Sequence, residues 1–190
     1  MSKGCKLTIT GDLGSGKSTV SKYLISKYGF ETFSTGVYQR KIAERMGMTT
    51  LELNQYAETH PEIDKDIDGT LTRIGQNDGD YIFDSRMAWH FVPDSFKVYM
   101  KCDIDVAAER IFNDTKRGQV DSALTIDDAK QKIIDRRSSE ARRYMDKYGV
   151  DILDMDNYNF VIDSTDAAPE DVAETIYAKM KEWYDGGKDS

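Results

Sequence analysis

The sequence contains the stretch Gly11-Asp12-Leu13-Gly14-Ser15-Gly16-Lys17-Ser18, which matches the pattern G-x-x-x-x-G-K-S at every fixed position. Residues 6–10 before it predict a short buried strand, and residues 17–28 after it carry an apolar stripe that predicts a helix ending at Gly29. A strand, a glycine-rich turn and a helix N-terminus together point backbone N–H groups at an anion. The stretch therefore predicts a phosphate-binding loop, with a chance glycine turn as the weaker alternative.

The fixed residues of this loop indicate which phosphate compound it binds. Lys17 supplies a positive charge for the β- and γ-phosphates of a nucleoside triphosphate, and the Ser18 hydroxyl is a ligand for Mg²⁺. We therefore predict ATP and Mg²⁺ as cofactors. A carboxylate is unfavourable near bound phosphate, so we expect the Asp12 side chain to point outward. The predicted nucleotide-binding residues are Gly11, Asp12, Leu13, Gly14, Ser15, Gly16, Lys17, Ser18 and Thr19.

Strands and helices alternate along the rest of the chain. Apolar runs predict further strands at residues 30–34, 81–84, 96–102 and 159–163. Periodic segments predict helices at residues 37–46, 106–112, 126–148 and 169–184, and two short helices between residues 49 and 74 that break at His60-Pro61. This alternation indicates a mostly parallel sheet with helices on both faces. The predicted fold class is α/β, a three-layer P-loop NTPase fold with a five-stranded parallel sheet in a single domain, residues 1–190.

A few polar residues mark expected helix starts, and the two cysteines mark expected buried positions. Thr49 and Glu52 form the pattern of a capping box, and Asp105 is expected to cap the helix at residues 106–112. Cys5 and Cys102 are expected as buried thiols in strands, in a reduced compartment.

Composition and charge narrow the classes of partner. The net charge is −8 and the pI is about 4.9. A protein that binds duplex nucleic acid usually has a basic face, so we predict no nucleic-acid partner. No apolar run approaches the roughly 18–20 residues of a membrane span, and residues 1–6 lack the apolar part of a signal peptide. We therefore expect a cytoplasmic protein with no membrane partner.

Arginine residues predict a second site, for another small anion. Arginine stays charged and binds phosphate through two parallel hydrogen bonds. Four arginines crowd the helix predicted at residues 126–148, and four others follow predicted strands or flank the polar segment 113–123: Arg136, Arg137, Arg142 and Arg143, then Arg40, Arg86, Arg110 and Arg117. By their spacing, Arg136, Glu140 and Arg143 share one helical face. A solvated face of salt bridges is the simpler interpretation of that trio.

Asp84 is a candidate metal ligand because it ends the third predicted strand. Ligands of parallel sheets bind at the carboxyl ends of strands, where a carboxylate can orient Mg²⁺ through water. The plainer interpretation is a turn residue at a strand end. The predicted metal-binding residues are Ser18 and Asp84.

A phosphate loop alone does not separate kinases from GTPases. GTPases normally carry an N/T-K-x-D motif, which is absent from this sequence. Residues 66–69 fit D-x-x-G by letters, but they lie in a stretch predicted to be helical, so we interpret the match as coincidence.

These residues together resemble the cytidylate kinases, especially the compact type common in archaea. Residues 34–40 look like the S-x-G-x-x-x-R segment of that family, and residues 84–86 stand where it has an acidic residue, glycine and arginine. Arg136, Glu140 and Arg143 fall on its R-x-x-x-D-x-x-R pattern. The similarity runs from the phosphate loop to the last helix.

The resemblance implies a division of the domain and a role for each site residue. It implies a core at residues 1–34, 79–112 and 149–185, a helical acceptor-binding insert at 35–78, and a lid at about 113–125 followed by the helix 126–148. The residues implied in catalysis are Lys17, Arg40, Arg110, Arg117 and Arg143. The residues implied in substrate binding are Ser34, Gly36, Arg40, Arg86, Arg136, Glu140 and Arg143.

The predicted function is ATP-dependent phosphorylation of a nucleoside monophosphate, CMP or dCMP first, by a monomeric enzyme. Ser85 replaces the glycine of the family pattern and Glu140 replaces its aspartate, and both changes bear on the choice of acceptor. Two alternatives stay open. One is a P-loop kinase for another small metabolite, such as a sugar acid or shikimate. The other is a nucleotide-binding regulatory protein without transfer activity.

Overall fold

The computed structural model describes residues 4–114 and 125–187, and its centre is a sheet of five parallel strands. The strands are β1 (Lys6–Gly11), β2 (Glu31–Ser34), β3 (Tyr81–Asp84), β4 (Phe96–Lys101) and β5 (Phe160–Asp163). They lie in the order β2-β3-β1-β4-β5, and every neighbouring pair is parallel. The predicted five-stranded parallel α/β fold is confirmed.

Helices connect the strands in the described residues. They are α1 (Lys17–Tyr28), α2 (Thr35–Arg45), α3 (Thr50–Thr59), α4 (Pro61–Gly75), α5 (Ala88–Phe91), α6 (Ile104–Asn113), α7 (Ile126–Tyr148) and α8 (Pro169–Asp185). A short 3-10 helix, Met155–Asn157, precedes β5.

Strand β1 is the central strand, and all six of its residues are buried. Ile9 pairs with Asp84 of β3 on one side and with Val98 of β4 on the other. Because the strands are parallel, their carboxyl ends meet at one edge of the sheet. Gly11 and Ser34 end their strands at this edge beside Asp84, which places the phosphate loop there.

Helices cover both faces of the sheet. On one face, Leu24 of α1 and Ile176 of α8 are fully buried against β1 and β4. On the other face, α7 packs on a cluster of aromatic side chains that includes Trp89 and Tyr99. Successive residues of a strand point to opposite faces, so Tyr99 faces α7 while its neighbours in β4 face α1 and α8. The two faces give the predicted three layers.

The segment between β2 and β3 folds as three helices with a small core of its own. Ile42, Leu53 and Ile67 are buried together in it. Thr49 and Glu52 form the predicted capping box at the start of α3, and Pro61 begins α4 directly after the predicted break at His60. Residues 66–69 lie inside α4, which confirms that they are helical.

Several local predictions were wrong by a few residues. Helix α6 begins earlier than expected and is capped by Asp103, whose carboxylate accepts hydrogen bonds from the backbone N–H groups of Asp105 and Val106. Cys5 and Cys102 lie just outside β1 and β4 and are half-buried rather than buried. Helix α5 was not predicted, because four residues are too few to show a helical period.

Two observations concern the predicted lid and the character of the described helices. Most of the predicted lid, including Arg117, lies outside the described residues. Across residues 4–114 and 125–187, no helix combines the length and apolar character that crossing a membrane requires.

The packing of α1 beneath the phosphate loop predicts a measurable stability difference between two helical positions. Leu24→Ala should lower the free energy of unfolding by about 2–5 kcal/mol, because Leu24 is fully buried and its truncation leaves a cavity. Met145→Ala, at a position 46% exposed on α7, should change it by less than about 0.5 kcal/mol. Urea denaturation of the two variants measures both values. Equal losses would contradict the assignment of α1 to the core.

Candidate active site

The phosphate loop closes around the ammonium group of Lys17. The Lys17 Nζ atom donates hydrogen bonds to the backbone oxygens of Gly11 at 2.9 Å and Asp12 at 2.6 Å, and it lies 3.3 Å from the Ser15 hydroxyl. Gly14 and Gly16 have φ angles of 79° and 81°, which side chains disfavour. A Cβ atom on Gly14 would also lie 2.9 Å from the backbone of Ala107. The glycines therefore permit the tight turn that the lysine holds.

The start of α1 supplies the groups that an anion would need. Gly16 precedes the helix and no side chain caps its N-terminus. Uncapped N–H groups at a helix start, together with the helix dipole, bind anions. Ser18 and Thr19 are exposed in this first turn. The geometry therefore matches the predicted phosphate site.

Burial changes the protonation of the loop lysine. Burial, followed by the charge of Arg86, lowers the pKa of Lys17 to about 7, while Asp84, Asp12 and Glu140 oppose the shift. Burial removes the ammonium from water and so disfavours its charged form. A polyphosphate placed in the loop would add negative charge beside Lys17 and favour the charged form again.

Arg86 and Glu140 lie next to Lys17 at the same edge of the sheet. The Arg86 guanidinium donates to the Gly11 backbone oxygen, which also accepts from Lys17. The Arg86 Nε atom is 2.9 Å from Glu140 Oε2, and both side chains are only 19% exposed. Arg136 Nε is 2.9 Å from Glu140 Oε1. The structure thus brings Arg86 and Arg136 to the half-buried carboxylate of Glu140. The Arg136–Glu140 pair is an i,i+4 pair on α7 with Arg136 50% exposed, as a helix face of salt bridges would have it, whereas Arg86 reaches Glu140 from another part of the chain.

Asp84 lies at the end of β3 with its carboxylate close to Lys17 and Arg86. Burial raises its pKa, whereas the charges of Lys17 and Arg86 lower it. Among the described residues it makes no hydrogen bond and no ion pair within 4 Å, so its oxygens are available to a cation or to water bound to one. In that same part of the chain, no three His, Cys, Asp or Glu side chains gather as a metal site. Mg²⁺ held mainly by phosphates and water needs only one or two protein oxygens, so Ser18 and Asp84 fit it.

The helical segment borders the other side of this edge. Gly36 and Arg40 lie near the start of α2, where a Cβ atom on Gly36 would be 3.7 Å from the Arg40 Nη1 atom. Arg40 is exposed. Arg143 reaches α4 instead, with its Nη2 atom 3.2 Å from a carboxylate oxygen of Asp64. Ser34 ends β2 beside Asp84. Ser34, Gly36 and Arg40 thus lie at the end of β2 and the start of α2, whereas Arg143 contacts Asp64 of α4.

Arg110, one of the residues predicted to act in catalysis, contacts the backbone of the phosphate loop and of the segment after β5. Its guanidinium donates to the backbone oxygens of Gly14 at 3.2 Å, Ser164 at 3.1 Å and Thr165 at 2.8 Å. These bonds connect the phosphate loop to the segment that follows β5. Arg117 lies outside the described residues, so its predicted role stays a prediction.

Two contacts of the loop were missed by sequence reasoning. The Ser164 hydroxyl, directly after β5, donates to the backbone oxygen of Ser15 at 2.9 Å. The Asp12 carboxylate does not point outward, because it accepts a hydrogen bond of 2.8 Å from the Tyr99 hydroxyl. A serine after a strand and a tyrosine within one are too common for sequence to mark them.

Comparisons with known proteins agree with this geometry. The model of a family described as AAA domain matches residues 7–123. The chain is 34% identical over 181 residues to a cytidylate kinase of Thermoplasma volcanium, which covers 93% of this chain and 92% of that protein. It is 32% identical over 187 residues to a cytidylate kinase of Pyrococcus abyssi, which covers 97% and 99%. The solved shikimate kinase of Bacteroides thetaiotaomicron has a TM-score of 0.66 at 16% identity, over 95% of this chain and 98% of that one.

The glycine loop, its buried lysine and the arginines at the same sheet edge define a P-loop phosphotransferase. The relatives that match nearly the whole chain make the assignment narrower: the chain belongs to the cytidylate kinase family. The likeness to shikimate kinase, at 16% identity, shows the shared fold alone.

The lowered pKa of Lys17 predicts that ATP binding takes up a proton. At about pH 8, above a pKa of about 7, Lys17 in the free protein is mostly neutral, and bound phosphates should restore its charge. Affinity for ATP should therefore fall as pH rises above 7, and proton uptake should approach one per site. Calorimetric titrations in two buffers of different ionisation enthalpy measure this uptake. At about pH 6, where Lys17 is already charged in the free protein, its proton uptake on ATP binding should be small. No uptake at pH 8 would contradict a neutral Lys17.

Proposed function

We propose that this chain transfers the γ-phosphoryl group of Mg-ATP to CMP or dCMP, as a cytoplasmic monomer. The observation that carries the proposal is the meeting of Lys17, Arg86 and Glu140 at the carboxyl edge of the sheet. The loop around Lys17 suits a triphosphate, and the arginines on its far side suit a second, smaller phosphate compound. The names of relatives over 30% identical support a pyrimidine nucleotide as that compound.

On the donor side, the chain binds and orients the triphosphate. The open N–H groups of α1 and the Lys17 ammonium contact the phosphate oxygens, and Ser18 and Asp84 hold the metal ion. When bound there, Mg²⁺ would neutralise part of the phosphate charge, with Ser18 and Asp84 as the residues that would hold it. Lys17 keeps its contact with the γ-phosphoryl group while negative charge shifts during transfer. Arg110 is given a positioning role here, because its bonds go to backbone oxygens.

On the acceptor side, the main obstacle is repulsion between two phosphate compounds. A monophosphate oxygen is itself a nucleophile near neutral pH, so the chain needs no strong base. Positioning and neutralisation of charge therefore supply the catalysis. Arg40, close to Ser34 and Gly36, and Arg143 are assigned to the acceptor phosphate. Arg143 would exchange Asp64 for that phosphate as the acceptor binds.

The nucleoside of the acceptor is assigned to the triad of Arg86, Glu140 and Arg136. Glu140 fixes the two guanidinium groups through separate carboxylate oxygens. Such a fixed polar set can hydrogen-bond a base or sugar and reject compounds that leave it unpaired. The segment 113–125 is proposed as the lid that excludes water, with Arg117 on it, as the family resemblance implies.

A screen of acceptors tests the proposal directly. ADP release is followed with CMP, dCMP, UMP, AMP, GMP, shikimate and gluconate, each with Mg-ATP. CMP or dCMP should give the highest kcat/KM. Turnover of shikimate or gluconate alone would favour the alternative of a kinase for another metabolite. ATP binding without turnover of any compound would favour a regulatory protein, against which the intact Lys17 and Ser18 argue.

Lys17→Ala should lower kcat for phosphoryl transfer by about 10²–10³-fold, because the variant loses a preorganised positive charge at the transferred group. Lys22→Ala, an exposed position on the same helix, is the matched control and should retain the wild-type rate. Steady-state ADP release with CMP measures both. A Lys17→Ala enzyme with wild-type kcat would remove the phosphate loop from the mechanism.

Arg40→Ala should raise the KM for CMP by about 10–100-fold, the loss expected for one hydrogen bond between charged groups. The KM for ATP should stay within about twofold, since Arg40 lies on α2 and not on the phosphate loop. Arg45→Ala is the control, because Arg45 lies on the same helix, is exposed, and donates from its Nε atom to the Lys41 backbone oxygen within α2. Unchanged CMP kinetics in Arg40→Ala would show that the acceptor phosphate binds elsewhere.

A further inference from the structure

The Asp12 side chain is an unexpected carboxylate inside an anion-binding loop. It is only 14% exposed and is held at both oxygens. The Tyr99 hydroxyl donates to Oδ1 at 2.8 Å, and the backbone N–H of Cys102 donates to Oδ2 at 3.1 Å. Tyr99 lies in β4 and Cys102 directly follows that strand. A negative charge near a phosphate site costs binding energy, so its firm attachment to β4 indicates a different use.

The main chain of Asp12 connects that attachment to the loop lysine. Its backbone N–H donates to Met100 of β4 at 2.9 Å. Its backbone oxygen accepts from Lys17 Nζ at 2.6 Å and from the Ser15 hydroxyl at 2.8 Å. The side chain of Asp12 therefore fixes the carbonyl that orients Lys17. Loss of the Tyr99 bond would free this carbonyl to turn.

Helix α7 also contacts Asp12. Arg137 Nη1 lies 3.8 Å from Asp12 Oδ1, and the Arg137 side chain is 52% exposed. One turn further along α7, Glu140 bonds to Arg86, and Arg143 follows three residues later. The helix that carries residues assigned to the acceptor thus reaches the donor loop through one pair of opposite charges.

The packing between α7 and the loop leaves room for movement. A cavity of about 210 Å³ lies between them, lined by Leu13, Ile104, Ile133 and Arg137 among others. Interiors without such a void resist displacement because they are close-packed. The Arg137 side chain, which lines this cavity, therefore has room to change its distance from Asp12 while Ile133 of α7 stays in its buried cluster.

We propose that Asp12 is a positioning residue for Lys17, and that Arg137 links this position to α7, so that occupation of the acceptor site changes the affinity for ATP. The positioning role of Asp12 concerns the phosphate loop alone. The link through Arg137 rests on the proposed function, because it needs CMP to bind beside α7. The link between the sites is a coupling free energy and acts equally in both directions.

The positioning role is tested by Tyr99→Phe and Asp12→Asn. Tyr99→Phe removes one hydroxyl and leaves the charge in place, and it should weaken ATP binding by about tenfold. Asp12→Asn removes a negative charge beside the phosphates, which by electrostatics alone would tighten ATP binding, so weaker binding marks the loss of position. Tyr158→Phe is the matched control, because Tyr158 packs in the same aromatic cluster and its hydroxyl donates to the Ile152 backbone oxygen rather than to the phosphate loop.

Calorimetric titration with the β,γ-imido analogue of ATP tests the positioning role of Asp12. The Tm of each variant is measured alongside. The expected result is weaker binding in Tyr99→Phe than in Tyr158→Phe at a similar Tm, with KM for ATP raised and KM for the acceptor unchanged. Wild-type affinity in Tyr99→Phe, or tighter binding in Asp12→Asn, would overturn the positioning role.

The link to the acceptor site is tested by repeating the titration with saturating CMP. The wild-type affinity for the ATP analogue should change by about fivefold or more. Arg137→Gln should reduce that change to near onefold. Arg142→Gln, at an exposed position on the same helix, should keep it. A wild-type protein that binds CMP without any change, or an Arg137→Gln variant that keeps the full change, would overturn the link. Failure of CMP to bind in a direct titration would instead overturn the proposed function and the link together, and leave the positioning result standing.

Discussion

The rest of the site depends on one half-buried basic group, the side-chain nitrogen of Lys17. Removed from water, it needs oxygen partners, and it finds them in the loop's own backbone at Gly11 and Asp12. Those bonds hold the loop in a turn that only glycine at positions 14 and 16 adopts without strain. Burial removes water from around the ammonium, and the negatively charged oxygens of a bound phosphate can take the place of that water. The central, fully buried strand β1 gives this arrangement a rigid base.

Helix α7 relates the two halves of the site. Along its 23 residues it contacts α6, the phosphate loop, the end of β3 and the helical segment in turn. The contacts are Ile133 in the α6 cluster, Arg137 to Asp12, Glu140 to Arg86, Arg143 to Asp64 and Tyr148 to Asp68. These contacts are the basis of the link proposed above between the acceptor site and the phosphate loop.

Local rules predicted the parts of this structure that depend on near neighbours. The phosphate loop followed from a strand, glycines and a helix start, and both ends of α7 were predicted to the residue. Contacts between distant residues were not accessible in this way. Ser164 meets Ser15 across 149 residues and Arg110 meets Gly14 across 96, and no spacing rule connects such pairs. The same limit explains the wrong orientation expected for Asp12: its partner on β4 becomes a neighbour only when the sheet forms.

The central claim is that the triphosphate in the glycine loop and the monophosphate among the arginines face each other across the sheet edge. A compound that joins adenosine and cytidine through five phosphates tests it most directly, because one molecule must occupy both sites at once. Linking two ligands at the right span raises affinity well beyond that of either part. We predict that calorimetric titration will give a dissociation constant at least about 100-fold below that of ATP. A dissociation constant no lower than that of ATP would contradict the claim.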